Sequence, residues 1–205
     1  MRILGRLNSV NVQKVVWCAQ ELGLGYERLD VGGKFGGNTT PEYLAKNPNG
    51  RVPVLEDGDL VLWESNAIVR YLAAKHGAGT LWPIDPAVRA LSDRWMDWGT
   101  MTLNAAIHTA FWQTIRTPEE QRDAAAIAKS AAESQAAMDI LDGALAGKAF
   151  VLGEQFSMGD IVVGCSTHRW INLPIGPKPG RHVQAWYERI LQRPAVKSVL
   201  ITPIT

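Results

Sequence analysis

Cysteine is scarce: Cys18 and Cys165 are the only two in 205 residues. They lie far apart, with no C-x-x-C and no companion ligands at metal spacing. That argues against a disulfide framework, disulfide reduction by protein thiols and a thiolate metal site. Long apolar runs are missing too. No stretch approaches the roughly 18 residues of a spanning helix. The opening MRILGRLNSV lacks an apolar segment followed by a small-residue cleavage site, so no signal peptide is predicted. Charge of one sign is also lacking: 21 Lys and Arg against 20 Asp and Glu give a formal net charge of +1. With the basic residues scattered, there is no reason to expect nucleic acid or an anionic membrane as the main partner. Repeats, coiled-coil registers and low-complexity tracts are absent. The expectation is a soluble, reduced, cytoplasmic protein, long enough to bury a substantial core in one domain or two.

The most informative stretch is Asn49 to Lys75, NGRVPVLEDGDLVLWESNAIVRYLAAK. Pro53 heads an apolar run, Val52 to Leu55, where a missing N–H is tolerated at a strand start or edge. Asp57-Gly58-Asp59 separates it from a second run, Leu60 to Trp63, and the pair predicts a β-hairpin. Glu64-Ser65-Asn66 then lead into a helix with Ile68, Val69 and Leu72 on its apolar side. A strand delivering Glu-Ser onto a helix start offers free N–H groups, a hydroxyl and the positive end of the helix dipole to an anion. The Glu64 carboxylate beside them suits an amine. Together they fit an amino-acid head group carrying both charges.

These residues, V-P-x-L, an acidic turn and L-x-E-S-x-A-I-x-x-Y-L, resemble the glutathione site of the soluble glutathione transferase family, and the likeness extends over nearly the whole chain. The resemblance implies an α/β N-terminal domain of thioredoxin-like βαβ-ββα type (1–79), a linker (80–87) and an all-helical domain (88–205). It implies that Val52, before the cis proline Pro53, pairs its backbone with the cysteinyl part of glutathione, and that Glu64 and Ser65 hold the γ-glutamyl end. Arg51 and Lys34 are candidates for the glycine carboxylate; both also read as solvated surface residues. Glutathione is the implied co-substrate, a small hydrophobic electrophile the second substrate, and a homodimer the implied assembly, with no metal.

The rest of the chain fits this frame. Arg2 to Leu7 and Tyr26 to Val31 are expected strands flanking a helix that carries Val12, Val16 and Ala19 on one face and ends at Gly23. Gly32 to Thr40 is expected as a mobile loop, and Thr40-Pro41-Glu42 as the start of a short helix to Lys46. Gly77 to Pro86 marks the boundary. Beyond it, Val88, Leu91, Trp95 and Trp98, then Leu103, Ile107, Ala110 and Phe111, predict a long bent helix whose second half faces something different. Thr117-Pro118-Glu119-Glu120 is a further helix start. Ser157-Met158-Gly159-Asp160 fits a capping box with Phe156 before it, and the resemblance makes that motif part of the buried helical core. Two closing helices are expected over Val183 to Leu191 and Pro194 to Leu200.

For chemistry, a thiol of pKa about 8.5 must be lowered by roughly two units, about 2.7 kcal/mol, to be a thiolate at neutral pH. Family members use a Tyr, Ser or Cys between the first strand and helix; this chain has Asn8, Ser9 and Asn11. On the residues alone Ser9 reads first as an ordinary helix N-cap; the resemblance reverses that and makes Ser9 the expected hydroxyl donor, with Asn11 the alternative. Thr102, Leu103, Ala106, His108, Phe111, Trp112 and Trp170 are candidate walls for the electrophile, with Leu103, His108, Phe111 and Trp112 foremost. Two alternatives stay open: glutathione-dependent disulfide or peroxide reduction, and a non-catalytic glutathione-binding module.

Overall fold

The computed structural model describes residues 1–205 apart from Pro177 and Pro203. The chain opens with strand β1 (Arg2–Leu4), helix α1 (Val10–Glu21) and strand β2 (Glu27–Leu29). A short helix α2 (Pro41–Leu44) precedes β3 (Val54–Asp57), β4 (Leu60–Trp63) and helix α3 (Ser65–His76). The sheet order is β2-β1-β3-β4, with β1 parallel to β2 and the other neighbours antiparallel. This is the thioredoxin-like βαβ-ββα arrangement. Alternation along the strands sorts the core. Ile3 and Leu55, paired across the sheet, are fully buried in one cluster with Val12, Val16, Ile68 and Leu72 of α1 and α3. Leu4 and Val54 face the other way and pack on Tyr43 of α2.

β1 stops at Leu4 rather than Leu7 because the chain turns in close to α1. A Cβ on Gly5 would lie 2.5 Å from Val12 Cγ2, so only glycine fits there. Pairing with the β2 side nevertheless continues, as the N–H groups of Gly5 and Arg6 donate to the carbonyls of Leu29 (2.8 Å) and Val31 (3.1 Å). β3 starts at Val54 rather than Val52, since Pro53 has no N–H for the ladder. The glycine-rich segment holds one 3₁₀ turn, Gly33–Phe35, and the Asn38 amide ties it to Gly50 by a 2.7 Å bond to the carbonyl.

The remaining chain is helical: α4 (Pro86–Trp98), α5 (Asn104–Phe111), α6 (Ala124–Ala144), α7 (Met158–Ile171) and α8 (Arg181–Leu191). α4 and α5 are joined by a π turn, Gly99–Leu103, and a second π turn, Trp112–Arg116, follows α5. Each wide turn inserts a residue, rotating the apolar stripe by about 100°. That is the physical origin of the bend and shifted face. Two expectations need correction. Thr117-Pro118 leads only into a 3₁₀ turn, Glu119–Gln121; α6 starts later, capped by Asp123, whose carboxylate accepts from Ala126 N at 2.9 Å. Pro194 to Leu200 holds only a 3₁₀ turn, Pro194–Val196, with the N–H groups of Val199 and Leu200 both returning to the Val196 carbonyl.

α7 is the axis of this half and is buried along nearly its whole length. Its capping box is present: Asp160 Oδ2 accepts from Ser157 N at 2.9 Å, while Oδ1 accepts from Val151 N and Trp186 Nε1, each at 2.9 Å. α7 packs against α1 at Gly164, where a Cβ would stand 2.9 Å from the Trp17 ring. Arg193 completes the junction by gripping Glu21 of α1 with two bonds of 2.7 Å. Among the described residues, no helix is long and apolar enough to cross a membrane.

Candidate active site

A cavity of about 580 Å³ opens between the two halves. Its first wall comes from the turn between β1 and α1 (Arg6, Ser9, Val10, Asn11), from Gly32, Gly33 and Asn38, and from Gly50, Arg51 and Val52. Its second wall is Asn104, His108, Phe111, Trp112, Arg116 and Arg169 from the helices. Among the described residues, no group of three or more His, Cys, Asp or Glu could hold a metal ion.

Ser9 is the N-cap residue of α1, with φ −87° and ψ 123°, yet its side chain makes no capping bond. Its carbonyl accepts from Gln13 N at 2.9 Å, so the backbone begins the helix without help from the hydroxyl. Among the described residues Ser9 Oγ has no partner, and it lines the cavity ready to donate. Asn11 lies beside it in the first turn of α1. Lys14 Nζ donates to Asn11 Oδ1 at 3.0 Å, which leaves the Asn11 amide NH₂ as the unengaged end. Lys14 also donates to Thr100 Oγ1 at 3.2 Å, a group that accepts from Asn66 Nδ2 at the same distance.

The Val52–Pro53 peptide is cis. The preceding loop is held from behind, since the Arg51 carbonyl accepts from Tyr43 Oη and Asn47 Nδ2, both at 2.7 Å. Burial pushes the Tyr43 hydroxyl up to about 12, so it stays a donor. The main-chain N–H and C=O of Val52 have no partner among the described residues. Val54 pairs with Trp63, the last pair of the β3–β4 ladder on the side of Val52 and Glu64. Glu64 is exposed and is the single described non-glycine residue with positive φ, at 70°, a conformation that marks a shaped turn. Ser65 is buried at the head of α3. Neither is among the residues that line the cavity.

Other expectations shift. Lys34 does not line the cavity; it is exposed on the 3₁₀ turn, its ammonium 5.2 Å from the Phe35 ring. Leu103 is fully buried in the core, because the π turn rotates the stripe and presents Asn104 and His108 instead. Trp170 is likewise core, and Thr102 and Ala106 are not among the lining residues. His108, Phe111 and Trp112 do line the second wall, with the His108 and Trp112 rings stacked at 5.9 Å.

Comparison with known proteins settles the family. The sequence model of the glutathione S-transferase N-terminal domain matches residues 1–74, and that of the C-terminal domain matches 103–194. The chain belongs to the glutathione S-transferase family. Glutathione S-transferase GstB of Escherichia coli strain K12 is 43% identical over 203 residues, covering 98% of both chains. Glutathione S-transferase 3 of Zea mays is 30% identical, covering 100% of this chain and 95% of its own. Among solved structures, the theta class glutathione S-transferase of Xanthomonas axonopodis pv. citri with glutathione bound has a TM-score of 0.95 at 50% identity, covering 100% of this chain and 98% of that one.

Membership makes the protein a transferase with glutathione as co-substrate. Within this family site, sequence reasoning missed Arg6, Lys14, Arg116 and Arg169. Two of them left a signal. Lys14 interrupts the apolar run of α1 and Arg169 that of α7, and a charge inside a buried helix calls for a reason. Arg169 is pulled down to about 10, first by burial and then by repulsion from Arg116.

Proposed function

We propose that the enzyme catalyses attack of the glutathione thiolate on a small hydrophobic electrophile, with Ser9 donating to the sulfur and Asn11 donating beside it. One observation carries this reading: two unengaged donors, Ser9 Oγ and the Asn11 amide, lie on the cavity wall that also holds the unpaired main chain of Val52. A hydrogen bond to a charged group contributes about 1.5–3 kcal/mol. One or two of them match the roughly 2.7 kcal/mol needed to lower the thiol by two units.

In this scheme Val52 pairs in β fashion with the cysteinyl residue beside Pro53, and Glu64 and Ser65 receive the γ-glutamyl end. Arg51, with Arg6 rather than Lys34, meets the glycine carboxylate. The electrophile sits against His108, Phe111 and Trp112. Residues 1–79 form the glutathione-binding domain, 80–87 the linker and 88–205 the helical domain. A cytoplasmic homodimer is the working assembly, supported by exposed apolar side chains on β4 (Leu60, Val61, Trp63) and on α4 (Val88, Leu91).

The test is thiolate absorbance of bound glutathione against pH, for the wild type and for Ser9→Ala and Asn11→Ala. The expected result is a bound thiol ionising near neutrality in the wild type and later in Ser9→Ala. Binding with an unshifted thiol would leave only a glutathione-binding module. A shift lost in Asn11→Ala but kept in Ser9→Ala would move the main role to Asn11.

A further inference from the structure

Four arginines line the cavity, Arg6, Arg51, Arg116 and Arg169, and no Asp or Glu does. Glutathione as its thiolate brings a net charge of about minus two: two carboxylates and a sulfur anion against one ammonium. Arg6 and Arg51 lie on the glutathione wall and suffice for it. Arg116 and Arg169 lie on the opposite wall and are left over.

These two converge on one ring. Arg169 Cζ stands 4.0 Å and Arg116 Cζ 5.4 Å from the centroid of Phe111. Among the described residues neither has an Asp or Glu within 4.0 Å. Arg116 donates one bond, from Nη2 to the Thr205 main-chain oxygen at 2.6 Å, and its buried Nε has no partner. Arg169 has no hydrogen-bond partner among the described residues. Arg116 is partly offset by the oxygen of Thr205, the last residue, whereas Arg169 has no anion beside it among the described residues and is repelled by Arg116, which costs the fold stability. Planar guanidinium forks are matched by a carboxylate.

We propose that the electrophile this cavity selects is an aromatic one bearing a carboxylate, seated between Arg116 and Arg169 with its ring on Phe111 and Trp112. The inference rests on the transferase reading above and narrows its second substrate. For a chloroarene the step is aromatic substitution. The sulfur forms a bond to the chlorine-bearing carbon, the ring and its nitro group take up the electron pair, and chloride departs with the C–Cl pair. The thiol proton has already gone to solvent.

The experiment compares 4-chloro-3-nitrobenzoate with 4-chloro-3-nitrobenzamide, alike in size and leaving group. Each kcat/KM is divided by the uncatalysed rate constant with glutathione at the same pH. The wild type is expected to accelerate the benzoate at least about tenfold more than the amide. That preference should fall toward unity in Arg169→Met and in Arg116→Met, and fall with rising salt. Because the readout is a ratio, a general loss of activity in a variant does not imitate it. An equal or smaller acceleration of the benzoate in the wild type, or a preference unchanged in both variants, would overturn the proposal. Turnover of neutral 1-chloro-2,4-dinitrobenzene without acceleration of the benzoate sinks the anion assignment alone. Turnover of none of the three compounds would count against the transferase reading as well.

Discussion

Lys14 Nζ donates to Asn11 Oδ1 at 3.0 Å from a side chain with no exposed surface. A fully buried ammonium bonded only to neutral oxygens, those of Asn11 and Thr100, is out of place in a helix otherwise devoted to packing. Its effect is to fix the Asn11 amide with the NH₂ end free. The fold gives up stability for an oriented donor.

Replacing Lys14 by Met should therefore stabilise the protein at neutral pH. Burial pulls the Lys14 ammonium from its usual 10.5 down to about 8. A lysine depressed in the fold binds fewer protons there than in the unfolded chain between those two pH values. Wild-type stability thus rises with pH through that window, and the cost is fully present below it. Its size is about 3 kcal/mol, less roughly 1 kcal/mol for the two bonds lost. Denaturant unfolding should show Lys14→Met about 2 kcal/mol more stable at pH 7, with the difference gone by about pH 10 and reversed by up to about 1 kcal/mol above it. A variant less stable at pH 7 would show that the bonds outweigh the burial.

Which parts were legible in the sequence follows from which forces act locally. The hairpin of β3 and β4, the start of α3 and the Ser157–Asp160 capping box rest on turn chemistry and periodicity within a few residues, and all are present. The π turns at Gly99–Leu103 and Trp112–Arg116 leave only a phase shift in the apolar stripe, so periodicity alone puts Leu103 in the pocket although it belongs to the core. The proline at 118 signals a helix start but cannot say that Gln113 captures Asp123 N–H at 3.0 Å and delays the helix. The cleft arginines were hidden because Arg6, Arg116 and Arg169 come from three separate segments. Only tertiary folding unites them.

Asp160→Ala should be among the most damaging substitutions in the helical half. Burial pushes this carboxyl up to about 6, and hydrogen bonds from Val151, Trp186 and Ser157 pull against that rise. Removing it strands three buried N–H donors at about 1–3 kcal/mol each, with less than additive effect. The expected loss is about 4 kcal/mol, or about 8–16 °C in Tm for a chain of this length. Calorimetry checks it, and a drop under about 1 kcal/mol would mean that water or a rearranged loop replaces the acceptor.

Gly164→Ala sets two effects against each other. Alanine gains up to about 1 kcal/mol over glycine in a helix. Its Cβ would, however, stand 2.9 Å from Trp17 Cζ3 and 3.0 Å from Ile190 Cδ1, both on fully buried side chains with little room to retreat. Overpacking of this kind costs about 1–3 kcal/mol. The clash should win, giving a net loss of about 1–2 kcal/mol by denaturant unfolding. A more stable variant would mean that α1 and α7 can separate without penalty.

Asn11→Asp separates donor chemistry from packing at the same position. The new carboxylate is nearly isosteric and gains an ion pair with Lys14, so the fold should be as stable as the wild type or more so. The site, however, loses the amide donor and acquires a negative charge near the sulfur. At an effective dielectric near 20, two like charges about 4 Å apart repel by about 4 kcal/mol, of which Lys14 cancels part. A net penalty of about 2.7 kcal/mol corresponds to a rise of about two units in the bound thiol pKa and a loss of roughly a hundredfold in kcat/KM at pH 7. Ser9→Ala, which removes one hydroxyl donor and adds no charge, should cost about tenfold to a hundredfold. The pH profile of kcat/KM with a neutral chloroarene distinguishes them, because Asn11→Asp should recover activity at high pH as the thiol finally ionises. An Asn11→Asp enzyme with the wild-type profile would mean that residue 11 faces away from the sulfur, and that Ser9 alone activates it.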